Sequence, residues 1–566
     1  MSAQFKFPRA GGGVPMMSRR AALGLGLGAV AGAALTGCAS GGAAPSGAKK
    51  AAVPPPKYVA PPVYPGAIVP DVPGVPTAYP SMPEKLTRTV AEIPGRGGTV
   101  RHFHLTWGPP ATPLDGNRWW QGLNERLGVD FKVTEASAGN YDAKFATMLA
   151  GGDLPEVVQL AGGRYGEIFS AGCLKAIKQG AFADLSEILS GDKVLEYANL
   201  ANVRTEQWRA CTINGGLWGV PIDVPVELLE FRYRKDWAEK LGFPKPPADA
   251  DETAELLVAM TKGAPEGAKK TWGLTAFPGM ALDLAYGMFG VPNNWAYEGG
   301  TLTHAFETPQ FEAAIAWLVK LWKNGGMHPD ALALGSQTDR YRAFVVQGQV
   351  GMAVDSAANF YRPNSQFGKV VAKLDGAFAA FVPPGHDGAA KAVFRRTAGA
   401  FGINAISAKA AQDKDRLAEI LRLFNWRRGP VGSEEWYYQG WGADGDYFTR
   451  GADGEPVPVE GTNLDADKGA IAYGLTPQSW IFPAAEDCVE INSQMVRQSV
   501  ASPVEGLQSE TQSARGAQLD QLFTTYINQI VVGSRPLSDI EKYRQAWRGQ
   551  GGDQIRREFQ EQLKRS

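Results

Sequence analysis

Apolar residues in this chain fall into three patterns, and each predicts a different element. From Ala21 to Leu35 there is no period at all. A run of 15 Gly, Ala, Leu and Val residues carries no charge, directly after Ser18-Arg19-Arg20 and before Thr36-Gly37-Cys38. It is shorter than the roughly 20 residues a permanent membrane helix needs, and its order of charged, apolar and small residues is that of a signal peptide. Thr99 to Thr106 alternates Val100, His102 and His104 against Arg101, Phe103 and Leu105, a strand pattern, and a helical pattern follows from Asn117 to Leu127. Phe131 to Thr134 continues as a strand, Tyr141 to Ala150 as a helix ended by Gly151-Gly152, and Val157 to Leu160 as an apolar strand. Alternation of this kind predicts a mostly parallel sheet. The ligand crevice of such a sheet lies beyond the carboxyl ends of its strands, near Thr106, Trp107 and the turn from Ala161 to Tyr165.

Further along, Gly215-Gly216-Leu217-Trp218-Gly219-Val220-Pro221 reads as a turn entering an extended run, and Phe231 to Trp237 as a place where the chain changes lobes. Val350 to Ser356 and Gly399 to Asn404 read as two more crossings. Phe311, Ile315, Leu318, Val319 and Trp322 make a helical stripe stopped by Gly325-Gly326. Near the end, Leu519, Leu522, Phe523, Tyr526, Ile527 and Ile530 share one helical face before Gly533. Ser538 and Glu541 have capping-box spacing, and Ile555, Phe559 and Leu563 continue at helical intervals.

Composition narrows the picture. With 57 basic and 58 acidic residues the formal net charge is -1, and no basic stripe points to nucleic acid. Gly41 to Pro83 is crowded with Gly, Ala and Pro and reads as a tether that buries little. The folded part, from about Thr99 to Leu563, is long enough for two lobes and shows no internal repeat. Beyond Cys38 stand Cys173, Cys211 and Cys488, an odd number, so at most one bridge forms and the pair is left open. His102 and His104 share a strand face, but a central strand buries such residues with ordinary partners, and no metal or other cofactor is expected. Aromatic residues make up 10% of the chain, with 15 Trp, enough for stacking surfaces as well as core.

Leu35-Thr36-Gly37-Cys38 resembles the lipobox of bacterial lipoproteins, and Arg19-Arg20 resembles a twin-arginine export signal. The resemblance implies a diacylglyceryl group on Cys38 and a place on the outer face of the cytoplasmic membrane. The folded part resembles the family 1 extracellular solute-binding proteins, in particular the LipO-like lipoproteins related to maltose- and alginate-binding receptors. The likeness is carried by Met148 to Pro155, Leu217 to Pro221, Tyr233 to Trp237 with Leu241-Gly242, and Tyr526 to Gly533 continuing through Trp547 and Gly551-Gly552-Asp553 to Glu558-Phe559.

That resemblance implies an α/β, two-lobed periplasmic-binding-protein fold of type II, each lobe a mostly parallel sheet flanked by helices, with a multi-strand hinge. The expected division is a signal peptide over 1–37, a lipidated tether over 38–98, lobe 1 over 99–227 plus 354–399, and lobe 2 over 228–353 plus 400–566. It implies a monomeric receptor that captures an oligosaccharide and hands it to the permease of an ABC importer. Relatives often carry a calcium loop before a Tyr/Trp-Gly-Leu strand. Here Lys262 to Lys270, before Trp272-Gly273-Leu274, offers three lysines and one carboxylate, too few oxygen ligands for calcium.

A sugar site combines rings with a few polar groups, and strand ends or lobe crossings offer Trp107, Tyr165, Asp223, Asp355, Asn359, Trp441 and Asp446. Each ring has core packing, and each carboxylate a cap or surface pair, as its plainer role. Catalysis is not expected: there is no Gly-x-Ser-x-Gly elbow, no His-Glu-x-x-His and no phosphate loop. A secreted glycosidase, a non-sugar ligand and a membrane sensor in place of a permease are the rival readings.

Overall fold

The computed structural model describes residues 53–106, 108–161, 168–226, 229–334, 338–362, 365–374, 376–451, 455–469, 471, 477 and 480–564. Arg19, Arg20, Cys38, Trp107 and Tyr165 lie outside the described residues. The strands that position the site are β1 (Thr99–Thr106), β2 (Asp130–Ser137), β3 (Val157–Leu160), β4 (Val220–Asp223), β5 (Glu230–Arg234), β6 (Met352–Asp355), β7 (Phe378–Phe381) and β8 (Ala400–Ile406). The helices are α1 (Arg118–Leu127), α2 (Tyr141–Ala150), α3 (Ala171–Lys178), α4 (Ala357–Tyr361), α5 (Lys414–Arg427), α6 (Leu464–Lys468), α7 (Ala485–Arg497), α8 (Glu510–Val531), α9 (Asp539–Trp547) and α10 (Asp553–Leu563).

Five strands form one sheet in the order β2-β1-β3-β8-β4. β1 runs parallel to β2 and β3, and β8 runs antiparallel to β3 and β4. Side chains alternate across a strand, so Val100 and Val157 pack with α1 and α5 on one face, while Phe103, Leu105 and Val158 pack with α2 and α3 on the other. Because both faces are covered, β1 is buried from His102 onward. The two histidine rings lie 4.9 Å apart at their centroids. Burial lowers the pKa of His104 to about 4 and that of His102 well below its usual 6.5.

The second sheet has the order β6-β5-β7, with β5 antiparallel to both neighbours. Parallel pairing survives there as the bridges Trp272–Val350 and Leu274–Met327. A large core of aromatic and aliphatic residues from β5, the helices between Ala250 and Lys323, and α8 to α10 packs beneath it.

The strand pairing departs from the expected division at two places. Val350 to Ser356 is not a crossing, since β6 pairs with β5 and β7 follows it into the same sheet. β8, expected with the second lobe, is a central strand of the first sheet. A buried strand reads alike whichever sheet receives it, which is why its sequence did not assign it.

The expected tether is also shorter than 38–98. Val59 donates to the Ala201 carbonyl at 2.8 Å, Ala78–Tyr79 pairs with Trp480–Ile481, and Thr89 and Val90 donate to one Glu435 oxygen at 3.0 and 2.8 Å. Val72, Val75, Ala78, Tyr79 and Met82 are buried. Scattered apolar residues among prolines thus dock singly on a surface built by the rest of the chain. Cys173, Cys211 and Cys488 are buried and unbridged. Ser538 makes no side-chain cap. Glu541 instead pairs with Arg544, and Asp539 with Arg535 and Lys542.

Candidate ligand crevice

β1, β2, β3 and β4 end on the same edge of the first sheet, at Thr106, Ser137, Leu160 and Asp223. From that edge the chain crosses to the second sheet between Asp223 and Glu230 and returns between Phe381 and Ala400. The crossing segments lie side by side. Val224 donates to the Gly399 carbonyl at 3.1 Å, and Thr397 donates to the Val226 carbonyl at 2.8 Å through its backbone and to the Pro225 carbonyl at 3.1 Å through its hydroxyl.

Asp223 stands where the first crossing leaves β4. Its carboxylate accepts from Gln207 Nε2 at 2.9 Å and from Arg428 at 2.8 Å, and the Arg428 side chain is only 2% exposed. Asp355 ends β6, paired opposite Glu230 at the crossing end of β5. It is buried and takes Arg342 in a two-point grip at 3.0 and 3.2 Å. Asn359 is half-buried on α4, and its carbonyl accepts from Ser365. These three therefore sit at or beside the crossing. Trp441 and Asp446 have partners of their own: the Trp441 ring packs 4.9 Å from Trp436 and 5.7 Å from Tyr437 beside Met82, and Asp446 pairs with Arg118 at 3.4 Å on α1.

Two residues that sequence reasoning passed over influence each other electrostatically. Arg362 directly follows α4 on the side of the second sheet. Lys468 ends α6, which is fastened to the first: Thr112 donates to the Ala466 carbonyl at 3.0 Å, and Asn117 Nδ2 donates to the Asp467 carbonyl at 2.6 Å. Surrounding protein lowers both cations below their ordinary pKa values, and the charge of Arg362 adds to the lowering of Lys468. Yet Arg362 retains exposed surface and Lys468 is only half-buried. Beside them Tyr361 stacks on Phe482 at 5.2 Å, and the Arg232 guanidinium lies 4.3 Å over the Tyr361 ring. Nothing in Tyr361-Arg362-Pro363 or Leu464-Asp465-Ala466-Asp467-Lys468 distinguishes them from solvated surface.

On the α2 and α3 face lies a cavity of about 820 Å3, walled by Phe145, Lys175, Arg396, Glu505, Gln512 and Trp547 among others. Its volume suits a small ligand. Its rings, however, are used in packing: Trp295 and Trp547 are 4% and 3% exposed, and Trp295 lies against Trp547 and Phe559 at 6.0 and 5.9 Å. The one carboxylate of the 262–270 loop, Glu266, accepts from Trp237 at 2.6 Å and from Arg234 at 3.1 Å. Among the described residues no cluster of three or more His, Cys, Asp or Glu is placed to hold a metal, and no helix is long and apolar enough to cross a membrane.

Two sheets joined by paired crossing segments over a shared crevice define the class of two-lobed, type II binding proteins. The chain belongs to the bacterial extracellular solute-binding protein family, whose model matches residues 115–426. It is 25% identical over 438 residues to the polygalacturonan/rhamnogalacturonan-binding protein YtcQ of Bacillus subtilis, covering 74% of this chain and 82% of that one. It is 24% identical over 483 residues to lipoprotein LipO of the same organism, covering 80% and 89%. In fold it is similar to the alginate-binding protein AlgQ2 solved without calcium, with a TM-score of 0.61, 16% identity, and coverage of 84% of this chain and 99% of that one.

Proposed function

We propose that this chain is the extracytoplasmic receptor of an ABC importer, exported by the twin-arginine route, anchored as a monomer through lipid on Cys38, and closing two lobes around an oligosaccharide. The lobes divide as 99–223 with 400–469, and 230–395 with 485–564. The observation that carries the reading is the pair of hydrogen-bonded crossing segments that joins the carboxyl edge of the first sheet to the second sheet, in a chain of the solute-binding family. Relatives named for binding polygalacturonan and alginate support a saccharide ligand.

Closure is stabilised only by contacts the ligand makes in the closed state and not in the open one. A sugar chain lying against the Arg362 and Lys468 side touches both lobes at once, which is the requirement. Released unchanged, it passes to the permease, so the chain performs no chemistry.

The test is the melting temperature of the protein from residue 39 onward against mono-, oligo- and acidic saccharides. A ligand present at a hundred times its Kd adds about 2.7 kcal/mol to the native state. The expected result is a clear rise with an oligosaccharide that is recovered intact by chromatography. No shift with any saccharide, or breakdown of the sugar, overturns the reading.

A further inference from the structure

Residues 53–98 lie ahead of the frame that the family model matches, and they do not dock on one body alone. They start on the first. Lys57 donates to the Gly191 carbonyl at 3.0 Å and Val59 to that of Ala201 at 2.8 Å, and Val53 packs against the core that holds Leu189 and Leu200. They then cross to the second. Val72, Val75 and Ala78 are buried with Ala357 of α4 and with Ala485, Cys488 and Val496 of α7, and Asp71 pairs with Arg497 at 2.9 Å. α7 belongs to the second body through Met495, which lies in its core, and Asn492, which donates to Glu230 at 3.4 Å. Last, the chain returns to the first body. Met82 donates to Glu455 at 2.8 Å and packs on Trp436 and Tyr437, and Thr87 donates to the Gly432 carbonyl at 3.1 Å.

On the way the segment touches the crossing itself. Gly74, at φ +98°, lies so close to Val226 that a Cβ there would meet the Val226 Cγ2 at 2.6 Å, and Val226 is the residue whose carbonyl Thr397 engages. Ala78–Tyr79 pairs with Trp480–Ile481, just ahead of α7. The two links between bodies differ in slack. Between Val59 and Ile68 the chain has all of 60–67 to spend, whereas between Tyr79 and Met82 it has Pro80 and Ser81 alone. That second link reaches roughly 11 Å at most, and its proline ring fixes one backbone angle. A link so short tolerates little displacement between its ends. It therefore lies near the axis about which the bodies turn, and it resists movement that pulls them apart there.

Resting on the two-lobed receptor reading above, we propose that residues 53–98 are a strap across the hinge, whose short link from Tyr79 to Met82 confines the unliganded protein to a narrow range of lobe angles. The apparent affinity of a ligand scales with the population of the form it binds, so the strap tunes capture without touching the ligand.

The test is the distribution of distances between two spin labels in the unliganded protein from residue 39 onward. The labels sit at Glu125→Cys on α1 and Lys323→Cys at the end of the Pro309–Lys323 helix, both exposed, and the native Cys173, Cys211 and Cys488 are buried. A Gly-Gly-Ser-Gly-Gly insert goes between Pro80 and Ser81 or, as a control, between Pro61 and Pro62. It adds roughly 12 Å of root-mean-square reach and leaves the buried contacts of the strap in place. A further variant, Val72→Ser with Val75→Ser, loosens the strap from the second body. Circular dichroism of wild-type shape establishes that each variant folds. The expected result is a distribution broadened by several ångström for the insert after Pro80 and for the double variant, with wild-type width for the control. Wild-type width in both of the first two, or equal broadening by the two inserts, overturns the strap. The receptor reading stands or falls separately, on the melting shift with saccharides, because no ligand enters this measurement.

Discussion

Glu230 is fully buried at the start of β5, and burial raises its pKa while Arg232, 2.9 Å away, holds it down. Removing one partner of such a pair strands a charge and costs about 3–5 kcal/mol. Arg232→Met is expected to lose that much in urea unfolding at neutral pH, and adding Glu230→Gln to recover most of it. The two buried histidines give the chain a pH dependence of known sign. Their native pKa values lie below the unfolded 6.5, so only the unfolded chain takes up protons as pH falls. Stability is whole above pH 6.5 and declines toward pH 4, by about 2 kcal/mol per histidine at pH 5. His104→Gln is expected to remove about half of that slope, measured by urea melts at pH 7 and pH 5. At this scale the sequence was least informative about the site. Asp223 and Asp355 were singled out for their place at strand ends, which is where they lie, but only the folded chain shows that Arg428 and Arg342 engage them.

Periodic elements were legible because burial on one face imposes a spacing on the sequence. β1 to β3, α1, α2 and α8 to α10 stand where the apolar periods put them, and α8 ends just before Gly533, whose φ of +80° suits glycine. What the period does not encode is the destination of an element, and so the expected boundary cut through β6, and β7 and β8 were each assigned to the other lobe. Gly516, inside α8, is open: a Cβ there meets only the Gln512 Cγ, at 3.8 Å. Gly516→Ala is expected to raise stability by about 0.4–1 kcal/mol, read as a higher urea midpoint with an unchanged slope. Asn117 joins two elements, since its side chain accepts from Trp120 at 2.8 Å to cap α1 and donates to Asp467 to hold α6. Asn117→Ala is expected to cost about 1–2 kcal/mol, read as a lower urea midpoint.

On the scale of the whole molecule, the crossing segments decide how the two bodies move. Gly399 holds φ at +76°, and a Cβ there would meet an Arg204 nitrogen at 3.0 Å. Gly399→Val is expected to cost about 1–2 kcal/mol and to alter the contraction on ligand binding seen by small-angle X-ray scattering. The docking of residues 53–98 has a separate consequence. With a lipid on Cys38, a free segment reaching to residue 98 would let the receptor drift roughly 200 Å from the bilayer, since an extended chain spans about 3.3–3.6 Å per residue. Because Val53 already donates to the Gly215 carbonyl, a lipid on Cys38, as proposed, would be separated from the folded body by no more than roughly 50 Å of fully extended chain. For the receptor proposed above, delivery would then be a search over a small patch of membrane, and its speed would depend on how many permeases lie within that reach.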